Sequence, residues 1–192
     1  MIPARVVASF ALIVLGAWPT LRAQCPCPAA GRWGAEAMVG PGFTASLLKF
    51  RTADAAWVLG LSGDLLRRHE ESSPPGVSPV TNDVTQGFAT LTLGHRWYGP
   101  AAGALRPFTA VVVSGTYAGS YGENYSGSHT WAFGPALEMG ASYYFSPHLS
   151  LGASGALGAS YTHTSYDGVG SQSAASYDIN LRLVRVLAAV YF

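Results

Sequence analysis

The chain has 192 residues, of which 49% are hydrophobic and only 11% are charged, and its 11 basic and 10 acidic residues give a formal net charge of +1. About a quarter of the residues of a typical soluble domain are charged, so this composition argues against an ordinary water-soluble globule. The balanced charge, without a basic cluster, argues against nucleic-acid binding. Beyond the first two dozen residues, no stretch approaches the roughly 18 consecutive apolar residues of a membrane-spanning helix, so the hydrophobicity is spread along the chain in short segments.

Residues 1–23 have the pattern of a secretory signal peptide. Arg5 supplies a positive region, Val6 to Ala17 forms an apolar core, and a cleavage site is predicted after Ala23. This core is too short for a spanning helix, which favours removal of the segment over its retention as an anchor. Export to an oxidising compartment follows, and residues 24–31 are then a short periplasmic N-terminal tail.

Two cysteines, Cys25 and Cys27, lie in this predicted tail. Gln24 stands where a lipoprotein signal needs a small residue, so a lipid anchor is the less favoured alternative. A bridge across a single residue would be strained, so we expect the two thiols to stay free or to pair between molecules. Too few other ligands surround them for a zinc site.

From residue 32 onward, apolar residues alternate with small or polar residues in segments of strand length, which predicts consecutive antiparallel strands. In the clearest segment, Leu149 to His163, the odd positions are mostly Leu, Ala and Tyr, and the even positions are mostly Ser, Gly and Thr. Successive side chains of a strand point to opposite faces, so this segment has one apolar face and one small polar face. The eight predicted strands are 32–39, 43–50, 56–65, 89–98, 108–117, 131–145, 149–163 and 179–192.

The links between the predicted strands alternate in length. Short links lie at 51–55, 99–106 and 146–148, whereas long polar links lie at 69–85, 119–129 and 164–176. Outer-membrane barrels have short periplasmic turns and longer external loops. The sequence therefore predicts an all-β fold, an eight-stranded antiparallel up-and-down transmembrane β-barrel over residues 32–192.

Alternation alone also fits a soluble, secreted, lipocalin-like carrier of a small ligand, with its apolar face inward. The chemistry of the second face argues for the membrane barrel, because it is mostly Gly, Ser, Ala and Thr rather than the charged residues that water would favour. An eight-stranded barrel has little internal space, so small residues suit its lumen and large apolar residues suit the lipid side. Aromatic residues near the strand ends fit a membrane-interface belt: Trp57, Trp97, Trp131, Tyr143, Phe145 and Phe192.

Six charged residues are candidates for the lumen, three acidic and three basic: Glu36, Asp64, Glu138, Lys49, Arg96 and Arg185. A buried charge is tolerated when it is paired. We therefore expect ion pairs and small side chains to close the lumen. A gated proton or ion path is the alternative.

The predicted last strand ends on an aromatic residue, Phe192, with apolar residues at alternate positions before it. It resembles the terminal strand that the outer-membrane barrel assembly machinery recognises. With the export signal and the segment from Ala141 to Gly152, the chain resembles the small outer-membrane barrels related to the membrane domain of outer membrane protein A. The resemblance implies a bacterial outer-membrane location, contact with lipid and lipopolysaccharide, and a non-enzymatic envelope-structural or surface-interaction role.

A lipid-modifying outer-membrane enzyme is the alternative function. His163 and Ser165 are two residues apart, and Asp178 lies near the predicted next strand. The His-x-Ser pair resembles that of the outer-membrane lipid A deacylases, which implies a serine nucleophile, a histidine base and an orienting acid. The sequence departs from that family at Tyr166, where the family has asparagine.

Two predicted external segments, Tyr117 to Tyr125 and Tyr161 to Tyr177, are rich in Tyr, Ser and Gly. This composition suits adaptable contacts with an extracellular ligand. The sequence predicts no cofactor and no metal centre.

Overall fold

The computed structural model describes residues 26–39, 43–72, 80–122, 125–167 and 172–192. These residues form eight strands: β1 (Trp33–Val39), β2 (Phe43–Thr52), β3 (Ala55–Ser72), β4 (Val80–Tyr98), β5 (Leu105–Gly122), β6 (Tyr125–Ser146), β7 (Leu149–Tyr166) and β8 (Ser173–Tyr191). The predicted signal peptide lies outside the described residues. The described part of the chain has no helix that is both long and apolar enough to cross a membrane.

Each strand pairs antiparallel with the next one along the chain, and β8 pairs with β1 to close the barrel. The predicted all-β fold, an eight-stranded antiparallel up-and-down barrel, is confirmed. Short links at 53–54, 99–104 and 147–148 lie at the same end of the barrel as the start of β1 and the end of β8. We call this end the terminal end and the opposite end the loop end.

Bulky apolar side chains cover the outside of the barrel. In β7, Leu151 and Leu157 are 46% and 53% exposed, whereas Ser150 and Ser154 are buried. A continuous apolar exterior around a narrow barrel is the surface that faces hydrocarbon in membrane barrels. The soluble-carrier alternative needs these leucines inside and does not fit this structure.

The lumen near the terminal end is filled by large side chains. Phe50 packs against Tyr98 and Tyr191 with ring centroids 5.5 and 5.8 Å apart, and Tyr144 stacks on Tyr191 at 5.7 Å. We call these four residues the aromatic layer. The expectation that only small side chains and ion pairs fill the lumen is therefore wrong at this end, where four rings share the interior with buried leucines.

Residues 26–32, which include the described part of the predicted tail, pack against the terminal end of the barrel. The side chain of Pro28 is fully buried, and the backbone N–H of Gly31 donates to the carbonyl of Phe50 at 2.9 Å. Cys27 contacts the core and is disulfide-bonded. The prediction of a free thiol is therefore wrong at Cys27, and Cys25 lies outside the described residues.

Much of the chain predicted as long polar links belongs to strands. β3 continues to Ser72, β5 to Gly122 and β7 to Tyr166. On the lumen side, hydroxyls of neighbouring strands pair across the sheet, as in Ser120 with Ser128 at 2.8 Å. The hydrophobic period disappears in these extensions because both faces are polar, so alternation could not reveal them.

The first two strands are shorter than the others, which leaves a notch in the wall. Pairing between β1 and β8 ends at Val39 opposite Val186, and pairing between β2 and β3 ends at Thr44 opposite Ser62. Towards the loop end of these pairs, no described strand lies between β3 and β8. We call this gap the β1–β2 notch.

Strand β8 changes register beside the notch. Ser154 lies opposite Arg185, but Ala156 lies opposite Arg182, and Val184 has a φ of 42°. Such an irregularity moves the following side chains to the other face of the sheet. Ile179 and Leu181 therefore face outward at odd positions, whereas Val186 and Val190 face outward at even positions.

Candidate functional site: the closed lumen

A buried ion pair lies beside the aromatic layer, on its loop-end side. Arg96 on β4 donates from Nη1 to Oε2 of Glu36 on β1 at 2.8 Å, and from Nη2 to Oε1 at 3.0 Å. Each side chain is 1% exposed. Two parallel hydrogen bonds are the strongest arrangement of a guanidinium with a carboxylate, and they neutralise both charges where neither is hydrated.

Glu138 and Arg185 extend this pair across the lumen. Oε1 of Glu138 on β6 lies 3.1 Å from Nη2 of Arg185 on β8 and 4.0 Å from Nη2 of Arg96. The ring of Phe108 lies 4.2 Å from the guanidinium carbon of Arg96 and covers one face of it. Two carboxylates and two guanidinium groups therefore balance in a chain that we call the luminal ion network.

Four of the six charged residues predicted for the lumen form this network: Glu36, Arg96, Glu138 and Arg185. Lys49 lies elsewhere, because its ammonium group donates to the carbonyl of Gly31 at 2.8 Å and lies 4.5 Å from the ring of Trp33. The inward residues of β2 on either side of Lys49 are Leu48 and Phe50, both fully buried. The lumen prediction for Lys49 is wrong because the weak alternation of this strand hid its parity.

Asp64 lies on the lumen side of β3 but closer to the loop end than the network. It lines the mouth of the barrel with Gln86 and Thr130, and it is exposed. Its carboxylate accepts a hydrogen bond from the backbone N–H of Leu65 at 2.8 Å. Asp64 therefore contributes negative charge to the mouth of the lumen rather than to its closure.

The candidate catalytic residues do not come together. His163 lies opposite Trp131, on the outer face of the wall, and Ser165 donates to the carbonyl of His129 at 3.4 Å. Asp178 lies opposite Ser160, a residue that lines the lumen cavity, so it has the inward parity. A histidine outside the wall and a carboxylate inside it cannot form the hydrogen-bonded group of a serine hydrolase.

The lumen between the ion network and the loop end is a cavity of about 390 Å³ with a mixed polar and apolar lining. Hydroxyl, amide and guanidinium groups line it: Ser62, Thr90, Thr92, Ser114, Asn180 and Arg185. The cavity has room for water or a small polar molecule. Towards the terminal end, the luminal ion network and the aromatic layer block it.

Arg106 is a buried charge that the sequence did not single out. It is 5% exposed and donates to the carbonyls of Ala53 and Gly99 at 2.8 and 3.2 Å, and its guanidinium pairs with Asp54. These contacts tie two neighbouring turns together at the terminal end. The position of Arg106 in a predicted link gave no sign of burial.

The predicted belt aromatics lie on the outer face. At the terminal end, five of them are 48–65% exposed: Trp57, Trp97, Tyr143, Phe145 and Phe192. Trp131 is nearer the loop end, 59% exposed, with its ring centroid 4.4 Å from that of Tyr117. The aromatic side chains therefore occupy both ends of the apolar wall, where amphipathic rings meet a membrane surface.

No family model and no curated protein matches the chain. The barrel is similar to the crystal structure of the outer membrane protein OprG from Pseudomonas aeruginosa, with a TM-score of 0.56 and 14% identity, covering 88% of this chain and 99% of that chain. A major outer membrane protein from Thermus thermophilus gives a TM-score of 0.47 and 15% identity, covering 84% of this chain and 98% of that chain. At 14% identity, the similarity to OprG establishes the fold alone.

The closed eight-stranded fold and the apolar exterior together define a small outer-membrane β-barrel, as the resemblance to the membrane domain of outer membrane protein A implied. The location that follows is the bacterial outer membrane, with the strands crossing the bilayer.

Proposed function

We propose that this protein is a non-enzymatic outer-membrane barrel whose lumen does not conduct, and that it acts through its lipid-facing wall and its external face. Its role is then envelope-structural or surface-interacting. The luminal ion network is the observation that carries this proposal, because it closes the interior with paired charges that are almost fully buried.

A solute crossing the barrel would have to separate Arg96 from Glu36 and then displace the rings of the aromatic layer. Breaking a buried ion pair leaves uncompensated charge, which costs about 3–5 kcal/mol in typical proteins. The rings are buried and pack against one another in stacked and edge-on contacts, so they cannot turn aside without moving the wall. The absence of a nucleophile, base and acid on one face among the predicted candidates supports the non-enzymatic part of the proposal.

Single-channel recording in planar lipid bilayers tests the closed lumen. The wild-type protein should show no regular conductance steps, whereas the triple variant Glu36→Ala, Arg96→Ala, Tyr144→Ala should conduct because it removes the bidentate ion pair of the network and one ring of the aromatic layer. Tyr143→Ala is the matched control, since it truncates the neighbouring ring that points outward. Regular steps from the wild-type protein would refute the closed lumen.

We also propose that the barrel assembly machinery inserts this chain through its last strand and that the outer wall contacts lipid and lipopolysaccharide. The backbone of Phe192 exchanges hydrogen bonds with that of Trp33, at 2.9 and 3.0 Å, while its ring is 65% exposed. The ring is therefore free for recognition, while the main chain completes the closure of the barrel.

The variant Phe192→Ser should lower the amount of heat-modifiable barrel in cellular outer membranes, while refolding in detergent stays unchanged. Phe145→Ser is the matched control, because it removes an aromatic side chain that is 59% exposed at the same end. Equal assembly of the two variants in cells would argue against recognition through the terminal residue.

A further inference from the structure

Four side chains converge on the outer face of the barrel near the loop end. Nδ1 of His129 on β6 lies 2.7 Å from the hydroxyl of Tyr117 and 3.3 Å from that of Tyr121, both on β5. Nε2 of His129 lies 3.2 Å from Oδ2 of Asp167, which directly follows β7. We call this group the tyrosine–histidine cluster.

Strand register and two glycines build the cluster. Gly119 lies directly opposite His129, so Tyr117 and Tyr121 flank the imidazole on the same face of the sheet. A Cβ at Gly119 would lie 3.2 Å from the ring of Tyr121. Because Gly119 has no side chain, the ring of Tyr121 has space to lie beside it.

The second glycine makes room for the carboxylate. A Cβ at Gly127 would lie 2.9 Å from Oδ2 of Asp167, closer than real contacts allow. The backbone N–H of Asp167 donates to the carbonyl of Gly127 at 2.8 Å, which fixes the carboxylate beside the imidazole.

The carboxylate sets the state of the imidazole. A neutral histidine has one N–H donor and one acceptor nitrogen, and a carboxylate oxygen 3.2 Å from Nε2 favours the N–H on that nitrogen. Nδ1 of His129 therefore carries the lone pair. That single lone pair accepts one full hydrogen bond, yet two phenol hydroxyls approach it. The hydroxyls of Tyr117 and Tyr121 also interact with each other, so the two phenol oxygens and Nδ1 form a compact set of three donor atoms.

We propose that the tyrosine–histidine cluster binds a transition-metal cation, Fe(III) or Cu(II). The two phenolate oxygens and Nδ1 of His129 are the ligands. Asp167 orients the imidazole from its other nitrogen, as outer-shell carboxylates do for metal-bound histidines.

The geometry and the donor types both fit such an ion. Donors that each bind one cation at about 2.1 Å lie about 3 Å apart when they occupy neighbouring positions, and the two oxygen-to-nitrogen distances are 2.7 and 3.3 Å. Imidazole suits copper and iron, and a strongly Lewis-acidic cation displaces the phenolic protons of Tyr117 and Tyr121 into solvent as the metal–oxygen bonds form.

This site was not apparent from sequence patterns because phenols are not usual metal-ligand signals. Among the described residues, no group of three or more His, Cys, Asp and Glu side chains could hold a metal. Tyr121 is 53% exposed, so the remaining coordination positions open to the outside of the cell, where water or an external chelator completes the sphere.

Metal titration of the purified, folded barrel in detergent tests the site. Fe(III) supplied as its nitrilotriacetate complex and, separately, Cu(II) are added while the visible tyrosinate-to-metal charge-transfer absorption is recorded. In at least one of the two separate titrations, with Fe(III) or with Cu(II), a charge-transfer band should appear and should saturate at one equivalent of the metal. Tyr117→Phe and Tyr121→Phe should each weaken it and lower the affinity at least about tenfold.

Variants at His129 and Asp167 distinguish a metal ligand from a residue that only orients the ligand. His129→Gln should lower the affinity at least about tenfold, and Asp167→Asn by about 10- to 100-fold with the band retained at saturation. Tyr143→Phe and His148→Gln, at the terminal end, are the matched controls and should bind as the wild type does. Heat-modifiable migration verifies that each variant is folded.

Each outcome decides the proposal. A band with one of the two ions alone supports the site and identifies its metal. The absence of a band with both ions, or a band that survives loss of both phenols, overturns it.

Discussion

Replacing Glu36 with alanine should lower the free energy of unfolding by about 3–5 kcal/mol. The change leaves Arg96 without its bidentate partner in a place where its side chain is 1% exposed. Glu138 compensates little, because its carboxylate is 4.0 Å from Arg96 and already engages Arg185 at 3.1 Å. Equilibrium urea unfolding in lipid vesicles, followed by tryptophan fluorescence, measures the difference.

Two further variants give this prediction its controls. Lys49→Ala removes a charge that lies outside the lumen, so it should cost less than about 1 kcal/mol. The double replacement Glu36→Leu, Arg96→Met should recover most of the loss, because an apolar pair needs no partner charge. If Glu36→Ala costs no more than Lys49→Ala, the ion network is neither closed nor buried in the folded barrel.

Leu137→Arg should destabilise the barrel in bilayers by about 2–4 kcal/mol, the effect of a cation at the midplane of a membrane barrel. Leu137 lies on the outer face in the middle of β6, between Val111 and Leu157, and all three are exposed. On a water-soluble protein, an arginine at such an exposed position changes stability by no more than about 0.5 kcal/mol. Unfolding in vesicles distinguishes the two cases.

The same charge introduced near the loop end provides the depth control. Ser173 starts β8 and is exposed opposite Ser165, so Ser173→Arg should cost at most about 1 kcal/mol. Equal effects at Leu137 and Ser173 would mean that hydrocarbon does not surround the middle of the wall, and the membrane assignment would fail.

The strands were predictable where one face is apolar and the other is small. In β7, outward leucines such as Leu151 and Leu157 alternate in parity with small inward residues such as Ser150 and Ser154, and the structure places them as predicted. Alternation fails where two inward residues are themselves large, as Leu48 and Phe50 are in β2. It also fails at Val184, where an irregular register exchanges the two faces and puts Asp178 on the side opposite to His163.

The candidate sites depend on register, which one strand cannot reveal. Glu36 and Arg96 belong to β1 and β4 and meet across the lumen, so their partnership follows from closure of the barrel rather than from spacing. The tyrosine–histidine cluster likewise requires Gly119 to lie opposite His129. The residue types can be read from the sequence. Which of these residues meet depends on how the strands pair in the folded barrel.

The β1–β2 notch bears on the bilayer around the protein. Beside it, the backbone groups of β3 and β8 that face the gap have no described strand as partner, and lipid tails offer them no hydrogen bonds. Water and polar headgroups must therefore reach lower on this side than beside β5 and β6, whose pairing extends from Leu105 to Gly122. A barrel with such an uneven rim thins the surrounding outer leaflet on one flank and gives the molecule a preferred tilt.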